Sequence, residues 1–323
     1  MPYSLQALEE AAALVHAVMP PTPQYAWPLL AERTGCDVWV KHENHTPTGA
    51  FKARGAITFM DWLRREHPEA TGIITATRGN HGQAQAFAAK RAGLTATILV
   101  PRGNSVEKNA AMRAFGAELI EHGEDFDEAR EEAQRRAADG KWFMVPPFHD
   151  ALALGVASYA LELFRAAPPL DTVYVPIGCG SGICGTIAAR NALGLDTKVV
   201  GVVSTGAQAA KLSFEAGELI ETNGAHSFAD GVAVRVPVRA AFDIYAKGAD
   251  RIVAVPDAAI AEATRIYWQD THNLAEGAGA CPLAALIQEA DRMRGSSVGV
   301  ILSGGNIDTR HVATIMAGGT PLT

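Results

Sequence analysis

Short β-rich runs recur along the chain at Val38 to Lys41, Gly72 to Ala76, Thr95 to Val100, Thr172 to Pro176, Lys198 to Val203, Arg251 to Val255 and Val298 to Leu302. Longer Ala-rich segments with helical periodicity separate them, and strand alternating with helix predicts a parallel sheet built from βαβ units. A helix is expected over roughly Ser4 to Val18. The stretch from Met19 to Pro28 reads as extended, because Pro20, Pro21, Pro23 and Pro28 cannot continue a helix. The units between Gly72 and Val145 could form a sheet of their own, after which Trp142 to Pro147 leads into a new long helix at Ala151. The expected fold class is therefore α/β with two doubly wound parallel-sheet domains. The large one comprises residues 1–71 plus 148–323, and a small inserted one comprises 72–147. Thr222 to Ser227 reads as a polar loop.

Composition narrows the class. At 323 residues the chain exceeds the usual size of one domain, and 48% hydrophobic with 20% charged residues excludes a disordered or collagen-like chain. The net charge of -7 comes without any basic run, so neither nucleic acid nor an anionic membrane surface is an expected partner. Cys36, Cys179, Cys184 and Cys281 show no CxxC spacing and no His/Cys cluster, which disfavours zinc and a disulfide framework and fits a reducing cytoplasm. Glu9 and Glu10 precede the first apolar stretch, and no run of 18 apolar residues follows, so neither export nor a membrane span is expected.

Four segments carry chemistry, each placed just after a strand. In the first, Lys41 to Ala56, a polar loop with Pro47 and Gly49 leads to Lys52 in the first turn of a helix between Phe51 and Ala53. Apolar neighbours and the positive helix end both disfavour an ammonium ion, and an amine so placed can act as a nucleophile. Taken alone, the segment fits a solvated helix lysine better. The second, Thr75 to Gln83, opens a helix with successive free amides. Thr77, Arg78, Gly79, Asn80 and His81 could there bind a carboxylate, although an ordinary Thr77-capped helix has the same sequence.

The third segment, Val175 to Gly185, holds Gly178, Cys179, Gly180, Ser181 and Gly182, whose backbone can approach a phosphate at a helix N-terminus. Gly180-x-Gly182-x-x-Gly185 also matches the dinucleotide fingerprint. That reading needs an acid at the end of the next strand to hold a ribose, where Val202-Val203-Ser204-Thr205 stands instead, so a compact phosphate cofactor fits better. The fourth, Leu302 to Asn306, puts the Ser303 hydroxyl at a carboxyl strand edge, where open α/β sheets bind ligands, although taken alone it fits a turn cap better.

Together the four resemble the fold-type II pyridoxal-phosphate enzymes of the threonine and serine dehydratase and serine racemase branch. The resemblance rests on Gly49 to Ala56, Thr77 to His81, Gly178 to Gly182 and Ser303 to Asn306, in order over essentially the whole chain. It implies the tryptophan synthase beta-like architecture, a homodimer and pyridoxal 5'-phosphate carried on Lys52 as an imine. Phe51 and Asn80 would contact the cofactor ring, residues 178–182 would cradle its phosphate, Ser303 would face the pyridine nitrogen, and Glu276 matches a family glutamate near the cofactor. Lys52, as carrier and base, and Thr77 would be the catalytic groups. A hydroxyl opposite the pyridine nitrogen leaves it largely unprotonated, which favours expelling a leaving group over a long-lived carbanion. The expected reaction is loss of the 3-hydroxyl from a small L-hydroxy amino acid, giving a 2-oxo acid and ammonia.

The departures bear on substrate and metal. Thr77 stands where the family usually has serine, the acid of a racemase, and this tilts the reading toward elimination. Arg78 replaces a small residue and either points to solvent or reaches a second substrate group. Ser204 to Ala210 lacks the carboxylates that hold a divalent ion in many relatives, so no metal is expected. With Thr323 as its last residue, the sequence gives no expectation of the regulatory domain of biosynthetic threonine deaminases. His45, Arg78, Tyr25 and Trp27 keep 3-phenylserine and 3-hydroxyaspartate open as substrates. A racemase and a non-catalytic ligand-binding relative are the competing classes, and retention of Lys52 argues against the latter.

Overall fold

Caps and prolines set the first boundaries. Ser4 accepts a hydrogen bond from Ala7 N and opens α1 (Leu5–His16). The extended segment that follows contains a short strand, β1 (Gln24–Ala26). Pro28 then begins α2 (Pro28–Thr34), because a missing N–H costs nothing at the first helical position. Thereafter strand and helix alternate through β2 (Asp37–His42), α3 (Lys52–Glu66), β3 (Gly72–Ala76), α4 (Asn80–Arg91), β4 (Thr95–Val100), α5 (Val106–Ala114), β5 (Glu118–Glu121), α6 (Phe126–Ala137) and β6 (Phe143–Met144). The remainder is α7 (Asp150–Ala166), β7 (Thr172–Pro176), α8 (Ser181–Ala192), β8 (Lys198–Ser204), α9 (Ala209–Ala216), α10 (Arg239–Gly248), β9 (Arg251–Val255), α11 (Asp257–Thr271), α12 (Gly277–Gln288), α13 (Ala290–Met293), β10 (Ser297–Leu302) and α14 (Thr309–Met316). This computed structural model describes residues 3–140 and 142–322.

The strands form two sheets. One has the order β1-β2-β10-β7-β8-β9 and is parallel except for β1; the other, β5-β4-β3-β6, is parallel throughout. The inner strands β2, β10, β7 and β8 of the large sheet are largely buried on both faces, which is why they read as continuous apolar runs. Val38, Val40, Val200, Val202, Val298 and Val300 pack into one core, with α11 and α12, while Val173, Val175, Val199, Val203 and Ile301 turn to the other, with α7 and α8.

Two features fix α3, the helix that Lys52 opens. Glycines let it lie directly on α7: a Cβ at Gly55 would stand 2.6 Å from Leu152 O, and one at Gly155 would stand 2.4 Å from Arg54 O. A buried network then pins it. Arg54 donates to Glu43 at 2.7 and 2.9 Å and to Glu162 at 2.6 and 2.9 Å, and Lys41 Nζ reaches Glu162 at 2.5 Å and Thr22 O at 2.8 Å. Two cations face two carboxylates, so no unpaired charge is buried. No helix among the described residues is long and apolar enough to cross a membrane.

Candidate active site

The loop after β2 is sewn to the segment after β10. Ala50 and Gly304 form a β-bridge, Phe51 N donates to Ser303 O at 3.0 Å, and Gly305 N donates to Gly49 O at 2.9 Å, with Gly49 in the left-handed region at φ 71°. This register places Lys52 at the start of α3 beside buried Ser303. Lys52 makes no hydrogen bond or ion pair among the described residues, and its Nζ lies 4.7 Å from the centre of the Phe51 ring. Burial pushes its pKa down, partly opposed by Cys179 and Glu276. Phe51 meets Tyr159 edge-on at 6.2 Å, and the Tyr159 hydroxyl donates to Gly182 O at 2.9 Å, linking the lysine loop to the glycine tract.

In the second segment Thr77 Oγ1 accepts from Gly79 N at 3.1 Å, so Thr77 does cap its turn, and its own hydroxyl proton remains free to donate. Asn80, which opens α4, is held at both ends of its amide. Its Nδ2 donates to Glu276 Oε1 at 2.7 Å, and its Oδ1 accepts from Asn306 Nδ2 at 2.9 Å. His81 Nε2 is buried without a partner, and burial, helped by the charge of Lys52, pushes the imidazole pKa down to about 3, so the ring is neutral. A small cavity is lined by Lys52, His81, Gln85 and Ser181. Arg78, between Thr77 and Gly79, is exposed.

The glycine tract tolerates no side chain where it is tightest. A Cβ at Gly178 would stand 2.2 Å from Gly231 O, and Gly180 adopts φ 97° before Ser181 opens α8. Cys179 is half-buried near Lys52, and burial raises its thiol pKa. Glu276 precedes α12 with its N donating to Gly304 O at 3.1 Å and its Oε2 buried without a partner. Burial pushes its carboxyl pKa up to about 7, with Lys108 opposing and Asp230 reinforcing the shift.

The structure thus brings together Phe51, Lys52, Thr77, Gly79, Asn80, His81, the 178–182 tract, Glu276 and Ser303. A larger surface groove of about 670 Å³, lined by Asp171, Lys198, Arg251 and Met293 among others, lies at the opposite, amino edge of the strands and contains none of these residues. Among the described residues no group of three His, Cys, Asp or Glu side chains could hold a metal ion. Residues unassigned from sequence also belong to the group. Asn306 donates to both Asn80 Oδ1 and Thr48 O, and Lys108 forms an ion pair with Asp230 beside Glu276. Lys108 and Asp230 carry no local signal, since only the fold makes them neighbours.

A half-buried amine beside a glycine-rich turn at the carboxyl edge of a doubly wound sheet is an arrangement suited to an enzyme that uses a phosphorylated cofactor. The chain belongs to the family of pyridoxal-phosphate dependent enzymes, which matches it over residues 17–304. It is 33% identical over 314 residues to the L-threonine ammonia-lyase of Thermotoga maritima, covering 97% of this chain and 78% of that protein. Against the L-threonine ammonia-lyase of Geobacter sulfurreducens it is 35% identical over 291 residues, covering 90% and 72%. Among solved structures it is similar to the processed form of threonine deaminase isoform 2 from Solanum lycopersicum (TM-score 0.89, 27% identity, 98% of this chain and 94% of that one). It is likewise similar to maize serine racemase (TM-score 0.91, 25% identity, 98% of each).

Proposed function

We propose that this protein is a pyridoxal-phosphate dependent ammonia-lyase that converts a small L-3-hydroxy amino acid of the threonine or serine type to a 2-oxo acid and ammonia. The observation that carries the reading is the Lys52 amine, half-buried, without a polar partner and aimed into the cavity it shares with Ser181. The residues fit the cofactor. Gly178 and Gly180 leave the amides before α8 open to a phosphate, Lys52 Nζ would hold the cofactor covalently, Phe51 and Asn80 would flank it, and buried Ser303 would meet the ring nitrogen. When bound, the cofactor supplies the electron sink for breaking the substrate's Cα–H bond.

This chain's own residues do the rest. The turn Thr77 to His81 would bind the substrate carboxylate through its amides and the Thr77 hydroxyl. Lys52 Nζ, whose lowered pKa raises its neutral fraction, would take the α-proton. Glu276, through Asn80, would hold the inner wall. The similarity to L-threonine ammonia-lyases supports elimination, and the charge balance supports a neutral side chain. Lys108 is already paired with Asp230 and so offers no free cation to an acidic substrate, and Arg78 is directed to solvent rather than buried in the site. We also read residues 72–147 as the inserted small domain, since all four strands of the second sheet fall within them.

The test is oxo-acid release across L-threonine, L-serine, 3-phenylserine and 3-hydroxyaspartate, with the chirality of remaining substrate measured. L-threonine or L-serine is expected to give the highest kcat/KM. Lys52→Ala is expected to lose both turnover and the borohydride-sensitive visible absorbance of the bound cofactor. Racemised substrate without oxo acid would overturn the reading.

A further inference from the structure

The small sheet's helix α5 crosses to the large unit at its N-terminus, and Lys108 is the centre of that crossing. Ser105 caps α5 through Lys108 N at 3.1 Å and donates to Asp308 at 2.5 Å, Glu107 Oε1 accepts from Thr309 N at 3.0 Å, and Lys108 Nζ is hydrogen-bonded and ion-paired to Asp230. The Lys108 side chain is only 11% exposed. Its stem lies against the turn before α4, since a Cβ at Gly79 would stand 2.8 Å from Lys108 Cδ. On the other side, Asp230 begins a short 3-10 turn, Asp230–Val232, whose Gly231 O closes on Gly178 and whose Gly231 Cα faces Ala278 in the first turn of α12. One ion pair therefore joins the Thr77 to His81 turn to the glycine tract and to the base of Glu276.

We propose that Lys108 is a positioning residue: its ion pair with Asp230 braces the substrate-carboxylate turn against the phosphate cradle, so that the turn is held in its binding geometry only while the pair is closed. Burial disfavours the ammonium, and Asp230 and Glu276 more than restore it, so the buried Lys108 is held charged by the partner it faces. Asp308, which also pairs with Arg310 at 3.7 Å, faces the seam, as do His311 and the exposed Arg235–Asp127 pair at 3.1 Å. Opening the seam would strand Lys108 over Gly79 and let the turn move. Because the turn binds the carboxylate in ground state and transition state alike, its loosening would weaken binding more than it slows chemistry. The inference rests on the reading above only in taking Thr77 to His81 as the carboxylate site.

The test compares Lys108→Met, Lys108→Arg and Asp230→Asn as full-length, cofactor-loaded enzyme. In Lys108→Met the KM for L-threonine is expected to rise roughly tenfold or more while kcat changes by less than about threefold. Lys108→Arg should recover most of the loss. Without substrate, amide exchange at residues 77–80 should speed up roughly tenfold in Lys108→Met and Asp230→Asn. An unchanged KM, or a raised KM with unaltered exchange at those amides, would overturn the brace. If a single variant does not fold, Lys108→Met/Asp230→Asn, which leaves no unpaired buried charge, makes the same comparison. Should wild-type enzyme release no oxo acid from any 3-hydroxy amino acid, the proposed activity fails, while the exchange measurement still decides the brace.

Discussion

A single added carbon at Gly178 would collide with Gly231 O at 2.2 Å, and backbone cannot swing aside as a flexible side chain can. Gly178→Ala is therefore expected to displace the Asp230–Val232 turn, weakening cofactor affinity by roughly tenfold or more while the fold survives. Equilibrium titration of the apoprotein with pyridoxal phosphate measures this, and wild-type affinity in the variant would show that the tract is not the cradle. The residues of the site differ in how well the sequence announces them. Lys52, Thr77 and the glycines sit in local punctuation, a strand end followed by Gly or Pro and then a helix, and that punctuation carries the chemistry with it. Lys108 and Asp230 lie 122 positions apart, and Lys108 occupies a capped helix start like any solvated first turn. Arg78 had two readings from sequence, and the structure leaves it exposed.

At the scale of elements, α3 and α7 touch through Gly55 and Gly155, so the position of Lys52 depends on two helices lying closer than side chains allow. Gly155→Ala would place a methyl group 2.1 Å from Thr58 Oγ1 and 2.4 Å from Arg54 O. Overpacking of that kind costs about 1–3 kcal/mol. A lower melting temperature, with kcat reduced because the amine is carried outward with α3, is expected; unaltered values for both would mean that the helices part without moving Lys52. Elements of this kind were legible where periodicity was strong. The runs at Gly72 to Ala76, Thr95 to Val100, Thr172 to Pro176 and Arg251 to Val255 coincide with β3, β4, β7 and β9. The strand β6 has two residues and β1 has three, largely exposed, so neither has room for a pattern. The helix α2 was hidden because Pro28, which cannot continue a helix, begins one.

For the whole molecule, two buried carboxylates set opposite limits on stability with pH. Burial raises the Glu162 pKa, but Arg54 and Lys41 outweigh it and hold it down at about 2. Its contribution is present above the ordinary carboxylate range and is lost as pH falls toward 2. Glu276, raised to about 7 chiefly by burial, acts in the other direction. The folded protein binds its proton more tightly than the unfolded chain, so stability from this group is full below the ordinary range and falls as pH rises through 7. Glu276→Gln is expected to flatten the alkaline side of the melting-temperature profile and leave the acid side unchanged. Parallel profiles for variant and wild type would show that Glu276 does not carry that limb.

The pairing of β2 with β10 also has a consequence for the order of assembly. Residues 37–42 lie in register with 297–302, and the Ala50–Gly304 bridge sits directly above that pairing. A growing chain has made Lys52, both anion loops and the whole small sheet long before β10 exists, yet the backbone of residues 49–51 has its sheet-edge partners only when residues 303–305 emerge. Until then β2 is paired only with β1, and its other edge is open. The wall of the candidate site beside Lys52 is thus closed by one of the last contacts made during synthesis, which leaves one edge of β2 open to edge pairing for most of the chain's elongation.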